Sequence, residues 1–240
     1  MSPSAGPATY EACRCPEVRR LVPWAPFAYV AWRLRRLVAE LVAGAGPGRD
    51  AVILDYGCDD APYRHLLPRA ATYLAADLSG NPKAEVEISP DGTLPVDDGS
   101  IDLVLSTQVL EHVEDPGLYL SECFRVLRPL GSLVLTTHGT MYIHRDPQDY
   151  WRWTCDGLEK IVGDAGLEVR QTGGVLGLVS AGLQLVQAGV ARRLPRFAVR
   201  PALLLFQALI AASDLGSSPA GRREFGLVIG VRATKPSGAR

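Results

Sequence analysis

What this sequence of 240 residues lacks narrows its identity first. It has no excess of either charge: 25 Lys and Arg face 26 Asp and Glu, for a formal net charge of −1. That balance provides no broad basic surface of the kind nucleic acid requires, so a nucleic-acid substrate is not expected. Cysteine is sparse and odd in number, at positions 13, 15, 58, 123 and 155. Such a set is no disulfide framework, and Cys13 and Cys15 have no second Cys or His pair at zinc spacing behind them. A signal-peptide pattern is missing too, and the expectation is a reducing, cytoplasmic protein. Uninterrupted apolar runs of about 20 residues are absent, which argues against a membrane span. What remains is 47% hydrophobic and 21% charged, the composition of a globular chain with one sizeable core.

The most telling stretch is AVILDYGCDDAPYRHLL, Ala51 to Leu67. A short apolar run, Val52 to Leu54, turns polar at Asp55, passes Gly57 and enters a short helical pattern. Strand, glycine turn and helix start together are the local plan of a nucleotide site in an open α/β sheet. Gly57 lets backbone approach a ligand closely because no Cβ stands in the way. A second strand, Thr72 to Asp77, ends in a carboxylate about 20 residues later, where an acid can accept hydrogen bonds from ribose hydroxyls. The competing reading of Asp77 is a capping or loop residue.

DYGCDDAPYRHLL resembles motif I of the class I S-adenosylmethionine-dependent methyltransferases, D-x-G-C-G-x-G, and more closely its D-x-G-C-G-x-x-P-Y-R form. Asp55, Gly57, Cys58 and Pro62-Tyr63-Arg64 match; Asp59 and Ala61 stand where the common pattern has glycines. LPVDDGSIDLVLSTQVLEHV, Leu94 to Val113, is similar to L-P-F-x-D-x-S-F-D-x-V-x-x-x-x-V-L-E-H-V of the same family. RVLRPLGSLVLTT resembles its R-V-L-K-P-G-G-x-L, with Leu130 in place of the first glycine.

The resemblance implies S-adenosylmethionine as cofactor. It implies that Asp55, Gly57 and Asp59 surround it, that Asp77 holds the ribose, and that Leu78 packs beside the adenine. It further implies that Asp91 and Gly92 meet the adenine amine, and that Gln108 lines the methionine part. Asp91-Gly92 is also a common turn pair. Glu111 and His112 could be catalytic or metal-binding, although in the family such a pair more often fixes the loop.

HGTMYIHRDPQDYWRWT, His138 to Thr154, follows the fifth strand. It is similar to an H-x-x-P-x-D-Y-W-R-F-T segment in one branch of the family, many of whose members lie in gene clusters for glycans or specialised metabolites. An alcohol attacking a methyl group must lose a proton, and histidine, with its ordinary pKa of ~6.5, can take it near neutral pH. His144 is the candidate base, His138 the second choice, and Asp149 or Asp146 could orient it or bind a substrate hydroxyl. Tyr150, Trp151 and Trp153 offer flat faces with polar tips, suited to a sugar or ring; the plain alternative is that they pack the loop down. No metal is assigned, and a divalent ion held by the histidines and carboxylates is left open.

The expected fold is α/β: a Rossmann-like, seven-stranded, mostly parallel sheet with helices on both faces and a helical cap inserted before the last strand. The expected organisation is a tail and helix over 1–48, a cofactor-binding domain over 49–172 plus 224–235, and a cap over 173–223. Helical spacing of Tyr29, Val30, Leu34, Leu37, Val38 and Leu41 predicts a helix from Pro26, with Arg33, Arg35 and Arg36 on a solvated face. The apolar 173–212 segment, with Arg192, Arg193, Arg196 and Arg200 in its middle, reads as a cap and could be a homodimer surface. It could instead touch an anionic membrane peripherally. The expected activity is O-methylation of a sugar, glycan or sugar-bearing metabolite. The alternatives are N- or C-methylation of a small metabolite, or a degenerate, non-catalytic binding protein.

Overall fold

The structure, a computed structural model, describes residues 22–143 and 148–238. His144 and Asp146 therefore lie outside the described residues, as do Cys13 and Cys15.

The chain opens on α1, Ala28–Ala45, which buries Val30, Leu34, Leu37, Val38, Leu41 and Val42 along one stripe and is closed by Gly46 in the left-handed region. β1 (Val52–Tyr56), β2 (Thr72–Asp77), the two-residue β3 (Val86–Glu87) and β4 (Ile101–Thr107) follow. Next come α2 (Pro116–Val126), β5 (Leu127–His138), α3 (Cys155–Asp164) and β6 (Glu168–Val175). Three helices, α4 (Leu178–Ala191), α5 (Arg196–Leu215) and α6 (Pro219–Phe225), precede β7 (Val228–Thr234).

The seven strands form one sheet in the order β3-β2-β1-β4-β5-β7-β6. β1 to β5 pair in parallel, and β7 runs antiparallel between β5 and β6. The expected fold class is thus the observed one. Strand alternation divides the core between two faces. Leu54, Val104, Leu133 and Val231 pack with Leu120 of α2 and Leu158 of α3. Ile53, Leu103 and Val134 pack with Leu37 and Leu41 of α1, Ala181 of α4 and Ile210 of α5. The strand order reverses between β1 and β4, so their carboxyl ends diverge there and leave a crevice, the usual place for a ligand in such a sheet.

Several details depart from the sequence expectation. β6, expected to stop at Arg170, continues through Gly173 and Gly174, because β7 pairs along its whole length. Gly174 has no alternative there, since a Cβ would stand 1.9 Å from the Arg222 carbonyl oxygen. β5 starts at Leu127 rather than Leu133. Leu118, expected in the core, is exposed; it follows Asp115, which caps α2 by accepting the Gly117 and Leu118 N–H groups. The stretch from Asp214, expected to be loop, completes α5 and forms α6.

The solvated-face reading fails for Arg33, which lies 3.3 Å from the buried Asp214 carboxylate. Arg222 and the Tyr29 hydroxyl reach the same carboxylate. Gln184 and Gln187, which interrupt the apolar run in the sequence, are fully buried and, with Gln207, donate to the Pro26 carbonyl at 2.6–3.0 Å. These two polar knots fasten α4 and α5 to the start of α1. Buried amides and carboxylates are tolerated where their partners are met, and losing one partner leaves the others unsatisfied.

Candidate active site

The first half of the site stands at the carboxyl ends of β1 and β2. Asp55 is buried at the end of β1, and one of its oxygens, Oδ2, accepts the Tyr73 hydroxyl. Its other oxygen, Oδ1, has no hydrogen-bond partner among the described residues. Burial pushes the Asp55 pKa up to about 7, and the charge of Asp77 adds to this, while the Tyr73 bond opposes it. A buried carboxylate with an unmatched oxygen is costly unless a cation or donor meets it. The Pro62-Tyr63-Arg64 match serves this arrangement indirectly. Tyr63 is core, and Arg64 stacks 4.9 Å over the Tyr73 ring and donates to the Pro68 carbonyl.

The turn after β1 reaches directly to Asp77. The Asp59 N–H and the Asn81 side-chain amide donate to Asp77 Oδ2 at 2.8 and 2.7 Å. The Leu78 N–H donates to Oδ1, also at 2.8 Å. Asn81 also donates to the Asp59 carbonyl at 3.0 Å, clamping the two ends together. Asn81 was not singled out in the sequence; the Asn-Pro turn just after the β2 carboxylate is the signal that could have found it. Asp59 and Ala61 hold φ of 42° and 56°. The backbone thus keeps the left-handed geometry for which the family pattern has glycine, despite side chains that disfavour it. At Gly57 a Cβ would stand 2.5 Å from Val109, so glycine is required where the β1 turn meets the end of β4. Cys58 is no nucleophile, as burial and then Asp77 push its thiol up to about 12.

The Tyr56 hydroxyl ties the next loop to this turn by donating to the Gly92 carbonyl. Asp91 beside it is exposed, and its carboxylate accepts the Thr93 hydroxyl at 2.8 Å and the Thr93 N–H, which lowers its pKa. Gln108, at φ 58°, closes β4 against β5. Its N–H meets the Thr136 carbonyl at 2.8 Å and its amide meets the Thr136 hydroxyl at 3.1 Å. Asp55, Gly57, Asp59, Asp77 and Leu78 are therefore brought into one hydrogen-bonded unit, with Gly92 tethered to it and Gln108 at the next strand end. Carboxylates of Asp55 and Asp77 beside a glycine turn suit a ligand with a positive charge and a ribose, as S-adenosylmethionine has.

The second half is built by residues 138–143 and 148–154. Glu111 is fully buried, accepts the Thr137 hydroxyl at 2.8 Å and lies 3.3 Å from His138 Nε2. Burial raises its pKa to about 7. Its carbonyl accepts the Tyr150 and Trp151 N–H groups, and the Trp153 N–H donates to the His138 carbonyl. Glu111 is thus the anchor of this loop. Asp149, expected to orient His144 or hold a substrate hydroxyl, has a side chain only 1% exposed and forms a two-pronged pair with Arg152 at 2.5 Å. Arg152 also donates to the Met141, Tyr142 and Trp151 carbonyls. The structure gives Asp149 a place in positioning the loop.

Between this loop and α4 lies an open cavity of about 800 Å³, walled by Thr140, Met141, Tyr142, Ile143, Asp149, Tyr150 and Arg152 on one side and by Leu185, Ala188, Gly189 and Arg192 on the other. His144 follows Ile143 in the chain but is outside the described residues. Among the described residues, no cluster of three or more His, Cys, Asp or Glu could hold a metal ion.

The comparisons with known proteins decide the family. Residues 42–135 match a family described as a methyltransferase domain. A protein of Mycolicibacterium smegmatis, named "Probable S-adenosylmethionine-dependent methyltransferase", is 31% identical over 210 residues, covering 79% of this chain and 77% of its own. The chain belongs to the class I S-adenosylmethionine-dependent methyltransferases. Solved structures agree on the fold. A SAM-dependent methyltransferase from Aquifex aeolicus superposes with a TM-score of 0.51 at 15% identity, over 82% of this chain and 88% of that one. A Haemonchus contortus phosphoethanolamine N-methyltransferase, solved with phosphomonomethylethanolamine and S-adenosylhomocysteine, gives 0.57 at 14% identity, over 95% of this chain and 61% of that one. The cofactor of this methyltransferase is S-adenosylmethionine, and the acid-lined turn between β1 and β2 fits it.

Proposed function

We propose that this methyltransferase transfers a methyl group to a hydroxyl of a small acceptor, a sugar or sugar-bearing metabolite, held in the cavity that residues 140–143 and 149–152 form with α4. The observation that carries this reading is the wall of that cavity. Tyr142 and Tyr150 line it beside a guanidinium, Arg152, and a carboxylate, Asp149, that are fixed to each other. Flat faces with polar tips and a rigid polar rim suit a polyhydroxy ring.

In this reading Asp77 accepts the ribose hydroxyls, Leu78 borders the adenine, and Asp91 with Gly92 meets the adenine amine. Asp55 and Asp59, with the Gly57 turn, face the cationic methionyl end, which Gln108 lines. The bound cofactor supplies a methyl group on a sulfonium centre. The acceptor oxygen bonds to that carbon as the carbon–sulfur bond breaks, and His144 takes the hydroxyl proton. Asp149 holds Arg152, which in turn holds the carbonyls on either side of the cavity loop.

The test is S-adenosylhomocysteine release from a panel of saccharides, phenols and amines, with the product's methyl position read by NMR. O-methylated saccharide supports the reading, and turnover confined to amines overturns it. His144→Ala should abolish turnover with cofactor affinity nearly intact; full activity in that variant removes it as the base.

A further inference from the structure

The hairpin of α4 and α5 has an unusual outer surface. Between Leu178 and Leu215 every exposed position is Leu, Val, Phe, Ala, Gly, Pro or Arg. Phe197 and Leu215 are each 85% exposed, and Leu178, Val186, Leu205 and Leu209 are exposed beside them. The arginines, Arg192, Arg193, Arg196 and Arg200, are all exposed and all gather at the turn between the helices. The sole acid in the segment, Asp214, is buried against Arg33 and Arg222. A continuous apolar surface bordered by polar groups marks a place where something docks.

We propose that the α4–α5 hairpin docks the methyltransferase on an anionic lipid surface, with its apolar face in the headgroup boundary and its arginines on lipid phosphates. Charge decides the occupant. A second copy meeting this face through its own hairpin would bring four more arginines and no exposed acid, whereas anionic headgroups complement the tip. Amphipathic helices with arginine at the polar edge and Phe and Leu on the apolar face bind in the plane of such interfaces.

Spanning is excluded by the packing. α5 is long and apolar enough to cross a membrane, longer than the apolar run in the sequence indicates. However, its Gln207 is bonded to the Pro26 carbonyl and the Tyr29 N–H, and its Asp214 to Tyr29, Arg33 and Arg222. The helix is fastened to the domain and presents only one side outward. Arg192, at the same tip, stacks 5.6 Å over Tyr142 and lines the acceptor cavity. A docked enzyme therefore holds that cavity at headgroup level, within reach of an amphipathic acceptor.

The test is flotation of the full chain with vesicles of phosphatidylcholine alone or mixed with phosphatidylglycerol, at low and high salt. The mixed vesicles should carry the protein, salt should weaken binding, and neutral vesicles should carry much less. Arg193→Ser, Arg196→Ser and Arg200→Ser together should lower partition on the order of 100-fold. Phe197→Asp with Leu205→Asp should abolish it, and circular dichroism and S-adenosylhomocysteine affinity should stay unchanged in both. A folded wild-type chain that does not float with anionic vesicles overturns the proposal, as does equal binding by both variants. A wild-type dimer in sedimentation velocity that Phe197→Asp makes monomeric, with no vesicle binding, assigns the face to a second copy instead.

Discussion

Replacing Arg152 with alanine removes the centre of the cavity loop. The guanidinium makes both bonds to Asp149 and three more to the Met141, Tyr142 and Trp151 carbonyls. Asp149, whose side chain is almost wholly buried, would lose both of those bonds. Breaking a buried pair costs about 3–5 kcal/mol; with the arginine side chain 28% exposed, solvent screening reduces this to about 2–4 kcal/mol. That loss falls on a segment outside the regular strand ladders, so it should appear as local opening rather than global unfolding. Hydrogen exchange by mass spectrometry reads it directly. Protection at the Tyr150 and Trp153 amides, which donate to the Glu111 and His138 carbonyls, should fall roughly 30- to 1,000-fold, at 1.4 kcal/mol per tenfold. Cofactor affinity should change little, because no hydrogen bond among the described residues joins the β1–β2 turn to this loop. Arg152→Lys should be intermediate, since a single ammonium cannot reproduce the fork. Unchanged protection in Arg152→Ala would refute the assignment of this pair as the loop's support.

Leu130→Gly should raise stability by about 0.5–1 kcal/mol, seen as a rise of about 1–4 °C in Tm, because Leu130 is 67% exposed and holds φ 65° in place of the family's glycine; a fall in Tm would contradict this. Asn81→Ala should weaken S-adenosylhomocysteine binding about tenfold in calorimetry by releasing Asp77 and the Asp59 carbonyl, and unchanged affinity would argue that the clamp is idle. Asp55 and Glu111 both have folded pKa values raised to about 7, chiefly by burial. Their stability contribution is therefore complete below the ordinary carboxylate range near ~4 and is lost as pH rises through about 7. The cofactor-free protein should lose Tm over that window, and Asp55→Asn should flatten part of the loss. For the same reason, cofactor binding near pH 6 should release up to about one proton, read from the dependence of binding enthalpy on buffer; no such dependence would mean that Asp55 does not face the cation.

Much of the architecture was legible because the signals were local. Short apolar strands, the Asp55–Gly57 turn and the Asp77 strand end each sit within a few residues of sequence. Other features depend on distant partners. Asp214 looks like loop, and Gln184 and Gln187 like interruptions of an apolar run, until α1 is folded against them, since their partners, Arg33, Tyr29 and the Pro26 carbonyl, lie more than 150 residues away. Asp149 reads as a free acid until Arg152 turns back on it. Asn81 carries no pattern of its own, and its role appears only once Asp77 and Asp59 stand side by side.

The central claim is that the turn between β1 and β2 binds S-adenosylmethionine and that Asp77 anchors it. Calorimetric titration of wild type and Asp77→Ala with S-adenosylmethionine and S-adenosylhomocysteine, with and without magnesium, tests it most directly. The account predicts micromolar binding by wild type, loss of most of that affinity in Asp77→Ala, and no requirement for the metal. Absent binding by a folded wild-type chain, or equal binding by the variant, would contradict it.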